Sequence, residues 1–171
     1  MSERLTLDEV RGEVAVLGRR HAVVDIRALL NHLDALVGSQ VAEVIARSLE
    51  MKLGKEDALR IHQETPKANI AEIIERLIES DRYSGFGLTN IVLTKGNPGR
   101  IHVETTNPCL KGTVGAARVF HFAWWAGVVS GLLNREFEIG DVVFDEAKNL
   151  ISCDLVQRPS TSSPENRTAQ I

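Results

Sequence analysis

Aromatic residues are absent from the first 82 positions of this 171-residue sequence, although the whole chain has five Phe, two Trp and one Tyr. All of them lie between Tyr83 and Phe144. Cysteine is also scarce, because Cys109 and Cys153 are the only two and they lack the CxxC spacing of a zinc ribbon or a redox pair. Two cysteines are too few for a disulfide framework, so we expect both to be reduced thiols.

An excess of basic charge, a secretory signal and a long apolar run are missing as well. The 20 Lys and Arg against 23 Asp and Glu give a formal charge of -3, whereas a nucleic-acid-binding protein needs a basic surface to neutralise phosphates. The first nine residues include acidic side chains where a signal peptide is basic and then apolar, so we expect a cytoplasmic protein. Residues 119–133 form the longest weakly charged run, which is shorter than the ~20 residues that cross a bilayer and predicts a buried helix instead of a membrane span.

Common catalytic and cofactor motifs are absent too. No GxGxxG, GKS/T, HExxH or GxSxG pattern occurs, so the sequence supports no nucleotide, zinc-protease or serine-hydrolase site. Asp141, Asp145 and Glu146 cluster near a turn, where carboxylates are common for structural reasons. We therefore predict no catalytic residue, no metal site and no cofactor, and we interpret Cys153, which lies in an alternating segment, as a packing residue.

Helical periodicity dominates the half of the chain without aromatic residues. Ser39 is predicted to cap a helix that ends near Gly54, a short helix follows over residues 56–62, and Thr65 with Pro66 opens another. The predicted inward faces of the helices consist of Leu29, Leu30, Leu33, Leu36 and Val37, then Val41, Val44, Ile45, Ser48 and Leu49, and finally Ile70, Ile73, Ile74, Leu77 and Ile78.

Alternating segments predict β-strands on either side of these helices, at residues 13–17, 21–26, 86–93, 100–104, 137–144 and 150–156. The first two form a hairpin, and the last four form an antiparallel sheet that packs on the helices. Residues 112–134 are predicted to form one long buried helix with four of the aromatic residues. The sequence thus predicts an α+β fold, with an antiparallel sheet of about four strands and a layer of helices, as a single domain over residues 1–157 with a disordered tail at 158–171.

The predicted aromatic helix is apolar around most of its circumference, so we expect it to be buried on several sides. Phe122 and Trp125 share one face, while Phe120 and Trp124 lie on another. Large side chains in such a helix usually fill a core, but two adjacent Trp residues point in different directions, which leaves a ligand pocket or a dimer interface open as the alternative. The candidate ligand-binding residues are Phe86, Phe120, His121, Trp124 and Trp125.

The segment AWWAGVVSGLLNREFEI at positions 123–139, followed by acidic residues and Cys153, resembles the 4-vinyl reductase domain family. That family includes a protein of bacteriochlorophyll synthesis, the sensory halves of phenol- and toluene-responsive transcription activators and, more distantly, subunits of the TRAPP trafficking complex. The resemblance is best over residues 107–156. It implies an α+β domain, usually dimeric, with an apolar small-molecule pocket between the helices and the sheet.

The resemblance also implies a zinc site, since cysteines and a glutamate hold zinc in the phenol-sensing members. Phe122 and Asn149 stand where two of these cysteines would fall, and only Glu146 and Cys153 match the other ligands. One thiol and one carboxylate do not close a tetrahedral zinc site, so we expect no zinc of the family's form. A substitute site of His121, Glu146 and Cys153 stays open as an alternative.

The function that the resemblance implies is a stand-alone, homodimeric binding domain of the sensor or carrier type, with a hydrophobic or aromatic small molecule as its ligand. Two alternatives stay open. The first is an accessory protein or reductase of tetrapyrrole or bacteriochlorophyll metabolism, although no motif for a nicotinamide, flavin or iron-sulfur cluster supplies the electrons that a reductase needs. The second is a structural assembly module without a ligand, similar to the trafficking subunits. We favour a protein without enzyme activity.

Overall fold

Three short strands precede the helices. In the computed structural model, which describes residues 5–8, 13–16, 19–21, 25–93, 99–110 and 116–159, the strands β1 (Leu5–Asp8), β2 (Glu13–Val16) and β3 (Arg19–His21) pair in the antiparallel order β1-β2-β3. The pairing of β2 with β3 confirms an N-terminal hairpin, but β3 begins at Arg19 and shares only His21 with the predicted second strand at residues 21–26. β1 adds a strand that the periodicity does not predict. Residues 160–171, which make up most of the predicted tail, lie outside the described residues.

Two long helices follow, α1 (Ile26–Val37) and α2 (Ser39–Glu64), with only Gly38 between them. α1 begins where it does because Asp25 Oδ1 accepts a hydrogen bond from the N–H of Ala28 at 3.0 Å. The predicted second strand is therefore wrong in its last residues. α2 runs unbroken through Gly54, so the predicted stop there and the separate short helix are wrong as well.

The third helix, α3 (Ile70–Tyr83), begins later than predicted. Asn69 forms a capping box with Glu72, since each side chain bonds the other residue's backbone N–H at 3.0–3.1 Å. Thr65 belongs to the end of α2 instead, because its hydroxyl donates to the carbonyl of Ile61 at 2.6 Å. The prediction that Thr65 and Pro66 open the helix is wrong, whereas the predicted inward position of Ile73 and Leu77 is confirmed.

The second half of the chain forms the predicted sheet. Its elements are β4 (Leu88–Leu93), β5 (Arg100–Thr106), α4 (Ala116–Leu133), β6 (Phe137–Asp145) and β7 (Leu150–Gln157). The four strands are antiparallel in the order β4-β5-β7-β6, which confirms the α+β fold class and the four-stranded sheet. The first residues of the predicted aromatic helix, 112–115, lie outside the described residues.

The aromatic helix α4 packs between the sheet and α2. By length and apolar composition α4 is the one candidate membrane span among the described residues, but 72% of it is buried inside the protein. The backbones of α2 and α4 are in direct contact at two glycines. A Cβ placed on Gly54 would lie 2.9 Å from Val128 N, and one placed on Gly127 would lie 2.9 Å from Met51 Cα. The residues of α2 that face inward are therefore mostly small, namely Ala42, Ala46, Gly54 and Ala58.

The predicted inward face of α2 is consequently wrong. Val41, Val44, Ile45 and Leu49 are 42–67% exposed, because larger side chains between α2 and α4 would hold the two backbones apart. On α1 only Leu30 is buried. We call eight of the nine large exposed apolar residues of these two helices, all except Leu59, the α1–α2 apolar face, which consists of Leu29, Leu36, Val37, Val41, Val44, Ile45, Leu49 and Leu53.

Candidate ligand-binding site

A cavity lies beside the first turns of α4. Its volume is about 10 Å³, and the depression around it, counted together with the space open to solvent, encloses about 230 Å³. The lining comes from the turn before β4, the segment after β5, α4 and β7, and consists of Phe86, Pro108, Cys109, Leu110, Ala117, Arg118, His121 and Ile151. The cavity is therefore mainly apolar, with one imidazole and one guanidinium in its wall.

Phe86 and His121 form the aromatic part of this wall. Their rings stack with centroids 5.1 Å apart and planes 16° apart. The Phe120 ring also stacks with the Phe86 ring, with a distance of 6.2 Å between the two centroids. Phe86 is held in this place by a turn with Gly85 and Gly87, whose φ angles are 83° and 130°. Glycine suits both positions, and a Cβ on Gly87 would also lie 2.7 Å from the carbonyl oxygen of Thr106.

A buried hydrogen-bond network supports His121 from behind. Its centre is Asp81 of α3, which is 4% exposed. Asp81 Oδ2 accepts hydrogen bonds from Thr89 Oγ1 at 2.5 Å, from His121 Nε2 at 2.8 Å and from Trp125 Nε1 at 3.3 Å. Thr89 lies in turn 3.1 Å from the hydroxyl of Thr105. The network thus ties α3, β4, β5 and α4 together behind the cavity.

The network also assigns the tautomer of the imidazole. Nε2 lies closest to the Asp81 carboxylate, so a proton on Nε2 satisfies both groups. Trp125 Nε1, which is 3.2 Å from the same nitrogen, then donates to Asp81 instead. In the neutral imidazole this leaves Nδ1 as an acceptor, and no protein partner for Nδ1 occurs in the part of the chain that the structure describes.

The structure connects all five predicted ligand-binding residues through ring contacts or hydrogen bonds, although Trp124 is connected only through Trp125. Phe86, Phe120, His121 and Trp125 form one chain of ring contacts and hydrogen bonds. Trp124 lies on the side toward α2, where its Nε1 donates to Asp57 Oδ2 at 3.1 Å. Only Phe86 and His121 line the cavity, and neither tryptophan does.

Sequence reasoning missed Asp81, Thr89 and Arg118. A signal for Asp81 exists, because it follows Ile73 and Leu77 at intervals of four residues and so occupies a buried position of α3. A carboxylate at such a position has to find hydrogen-bond partners in the core. No comparable pattern in the sequence indicates a role for Thr89 or Arg118.

The two cysteines lie in surroundings that keep their thiols protonated. Burial raises the pKa of Cys153 to about 12. Burial, and then the negative charge of Asp81, raise the pKa of Cys109, while Arg27 acts against this shift. Neither thiol therefore has the depressed pKa of a reactive nucleophile.

The alternative metal ligands do not form a site in the described part of the chain. Glu146 is exposed in the turn between β6 and β7, Cys153 is buried in the sheet, and His121 bonds Asp81. Among the residues that the structure describes, no group of three or more His, Cys, Asp and Glu side chains is arranged to hold a metal ion.

A second buried carboxyl group, Glu50, lies on the inward face of α2 and is 7% exposed. Burial, and then the charge of Asp57, raise the pKa of Glu50 from 4.5 to about 7. The folded protein therefore binds this proton more tightly than the unfolded chain does. Between pH 4.5 and 7 the folded state holds more protons, so the free energy of unfolding falls as the pH rises through this range.

Glu50→Gln is expected to remove this part of the pH dependence. At pH 8 the variant should be more stable than the wild type by about 3 kcal/mol, because the pKa rises from 4.5 to about 7 and one pKa unit corresponds to about 1.4 kcal/mol. At pH 4.5 the two proteins should be equally stable. Urea unfolding at both pH values measures the difference, with Glu75→Gln on the exposed side of α3 as the control that changes neither value. Equal stability at pH 8 would contradict the prediction.

No protein-family model and no curated protein matches the sequence. Among solved structures, the chain is similar to the phenol-responsive sensory domain of the transcription activator PoxR with phenol, with a TM-score of 0.65 and 12% identity over 90% of this chain and 84% of that one. The two chains share a fold. A trafficking protein particle complex subunit 3 from Naegleria fowleri, covalently bound to palmitic acid, matches with a TM-score of 0.43 and 10% identity over 78% of this chain and 95% of that one.

The likeness to a sensory domain agrees with one of the relations that the sequence resemblance names. At this level of identity it establishes the arrangement of helices and strands. Membership of the 4-vinyl reductase family stays a prediction.

Proposed function

We propose that the chain is a small-molecule-binding domain of the sensor or carrier type, and that a hydrophobic or aromatic ligand binds at the cavity beside α4. The observation that carries this proposal is the wall itself, in which the His121 imidazole stacks on the Phe86 ring and its Nδ1 has no partner among the described residues. An apolar lining with a few oriented polar groups is typical of ligand sites. The fold shared with a phenol-responsive domain supports the same interpretation.

The candidate residues have different roles in this proposal. Phe86 and His121 contact the ligand, while Phe120 and Trp125 hold these two rings in place. Trp124 contributes from a distance, because its ring meets that of Trp125 edge to face at 4.9 Å. Nδ1 of His121 accepts a hydrogen bond from a hydroxyl or amide of a ligand that carries one.

The cavity has to enlarge before a ring enters. A volume of about 10 Å³ is room for one water molecule, whereas a cavity that takes benzene has ~150 Å³. Phe86 is the side chain best placed to move, since it is only half-buried and lies in a turn between two glycines. Ligand binding therefore requires that the Phe86 ring move away from the His121 ring and lose its stacking contact.

Phe86→Ala is expected to strengthen binding of phenol at least tenfold, because the truncation removes this cost and leaves a space the size of a ring. Calorimetric titration of phenol, toluene and decanoate into both proteins measures the affinities, and the fluorescence of the adjacent Trp124 and Trp125 gives a second readout. Leu132→Ala, a half-buried truncation at the other end of α4, is the control that leaves the affinity unchanged. If neither protein binds phenol, toluene or decanoate, the proposed function is wrong.

We also propose that the domain acts as a homodimer through the α1–α2 apolar face. Its eight large apolar residues are 40–68% exposed, and monomeric proteins rarely expose an apolar patch of more than a few hundred Å². Ion pairs on α2 flank this face, including Glu43 with Arg47 and Lys52 with Glu56. An apolar centre with a charged rim is the usual composition of a protein interface.

Val44→Glu is expected to convert the dimer to a monomer, because it places a charge in the centre of the apolar face. Analytical ultracentrifugation at micromolar concentration measures the mass of each protein. The matched control is Val143→Glu, since Val143 is 57% exposed on the sheet, and this variant should stay dimeric. A monomeric wild type, or a Val44→Glu variant that remains a dimer, would refute this interface.

A further inference from the structure

Two arginine side chains flank the cavity, and each is fixed by a backbone carbonyl. Arg118 of α4 lines the cavity, and its guanidinium donates a hydrogen bond to the carbonyl of Val142. Arg27 of α1 donates to the carbonyl of Cys109 at 2.6 Å, and Cys109 also lines the cavity. Both arginine residues are exposed, and Arg118 is also part of the cavity wall, so its side chain has access to both the cavity and solvent.

Among the residues that the structure describes, neither guanidinium forms an ion pair with a carboxylate. The ion pairs found in the described part of the chain use Arg47, Arg60, Arg100 and Arg158 but not Arg27 or Arg118. A guanidinium has five N–H donors, and the carbonyl bond uses only part of this capacity. The remaining donors of Arg118 are therefore available, on a side chain that its carbonyl bond already orients.

Two carboxylates near the cavity accept hydrogen bonds from other groups. Asp81 accepts three hydrogen bonds behind His121, and Asp34 accepts one from the N–H of Ala116 at 3.4 Å. The positive charge of Arg27 reaches the cavity wall, because it lowers the pKa of the Cys109 thiol against the larger effect of burial. Within the described residues, the rim of the cavity thus offers guanidinium donors that are not paired with a carboxylate.

We propose that the ligand of this site is an apolar carboxylic acid, bound as its carboxylate. Its hydrocarbon part occupies the cavity between Phe86 and Ile151, and Arg118 binds the carboxylate at the rim. A planar guanidinium matches a carboxylate with two parallel hydrogen bonds, and Arg27 adds a second positive charge nearby. This inference rests on the proposed function, because it specifies the ligand class of the same site.

The test compares acids with neutral molecules of the same shape. Benzoate and benzamide form an aromatic pair, and decanoate and decanol form an aliphatic pair, so the result also separates an aromatic from a fatty acid. Calorimetric titrations use the wild type, Arg118→Gln and Arg118→Lys, with Arg135→Gln as the control because Arg135 is exposed at the other end of α4. Urea unfolding confirms that each variant is folded.

We expect at least one of the two acids to bind the wild type tenfold or more tightly than its neutral counterpart. Arg118→Gln should abolish this preference while the affinity for the neutral molecule stays the same, and Arg118→Lys should keep part of it. Arg135→Gln should behave like the wild type. Binding to the wild type should also weaken with added salt.

Two results would overturn the inference, and they differ in what they say about the site. If the neutral molecules or phenol bind as well as the acids, or if Arg118→Gln keeps the preference, the ligand class is wrong while the binding function stands. If none of these probes binds, the binding function is wrong as well. If Arg118→Gln does not fold, Arg118→Lys and Arg27→Gln replace it in the test. Both of these variants should lower the affinity for the acid.

Discussion

Replacing Asp81 with alanine is expected to lower the free energy of unfolding by about 4 kcal/mol, because three buried donors lose their acceptor at once. Thr89, His121 and Trp125 all donate to Oδ2 of this one carboxylate. Their polar atoms are buried, so water does not replace the lost oxygen without cost. The loss should exceed that from any exposed carboxylate in the chain.

Urea unfolding measures this loss, and two further variants separate its causes. Asp81→Asn keeps the volume and one acceptor oxygen, so about half of the loss is expected. Asp141→Ala removes an exposed carboxylate from β6 and should change the stability by less than ~0.5 kcal/mol. A near-native stability of Asp81→Ala would mean that the three donors find other partners and that the network does not hold the site in place.

The second large effect is expected for Gly127→Ala, which should lower the free energy of unfolding by about 3 kcal/mol. The added Cβ would lie 2.8 Å from the carbonyl carbon of Met51, 2.9 Å from its Cα and closer still to its oxygen. These are backbone atoms of α2, so relief requires the two helices to move apart. Alanine's better helix propensity contributes about 1 kcal/mol in the opposite direction and does not offset the clash.

Gly131→Ala is the matched control for this prediction. It lies one turn further along α4 on the same side, where the nearest atom to an added Cβ is the carbonyl oxygen of Lys55 at 3.2 Å. A shift of a few tenths of an ångström relieves this contact, so the variant should stay close to the wild type. If both variants unfold at the same urea concentration, the helix contact is looser than the distances indicate.

The sheet and the aromatic helix were both predictable, although for different reasons. The alternation in β5 places Ile101 and Val103 inward and leaves His102 and Glu104 on the other side, as the burial of these residues confirms. α4 was predictable because it is apolar on nearly every side, so any packing arrangement buries it. The fold class then follows from the order of the elements.

The packing of α2 could not be predicted in the same way, because this helix has apolar residues on two sides. Its larger residues, such as Val44 and Leu49, suggested an inward face, but the buried side is the one with Ala46, Gly54 and Ala58. Periodicity ranks faces by hydrophobicity, whereas close helix contact requires small side chains. The small residues at intervals of four were the relevant signal.

The site itself depends on contacts that no local pattern contains. Asp81 and His121 are separated by 40 residues, and they meet only because α3 and α4 lie on the same side of the sheet. The aromatic cluster located one half of the site in the sequence, since it singled out Phe86 and His121. The polar half became visible only once the tertiary structure had placed it.

The contact between α2 and α4 also has a mechanical consequence. At Gly54 and Gly127 each helix is in contact with the opposite backbone, so no layer of side chains separates the two helices there, and a displacement of one should carry the other with it. α4 lines the cavity, whereas α2 carries part of the α1–α2 apolar face. If a ligand binds as proposed, a displacement of α4 should therefore reach this outer surface through backbone contact, without relaying the motion from one side chain to the next.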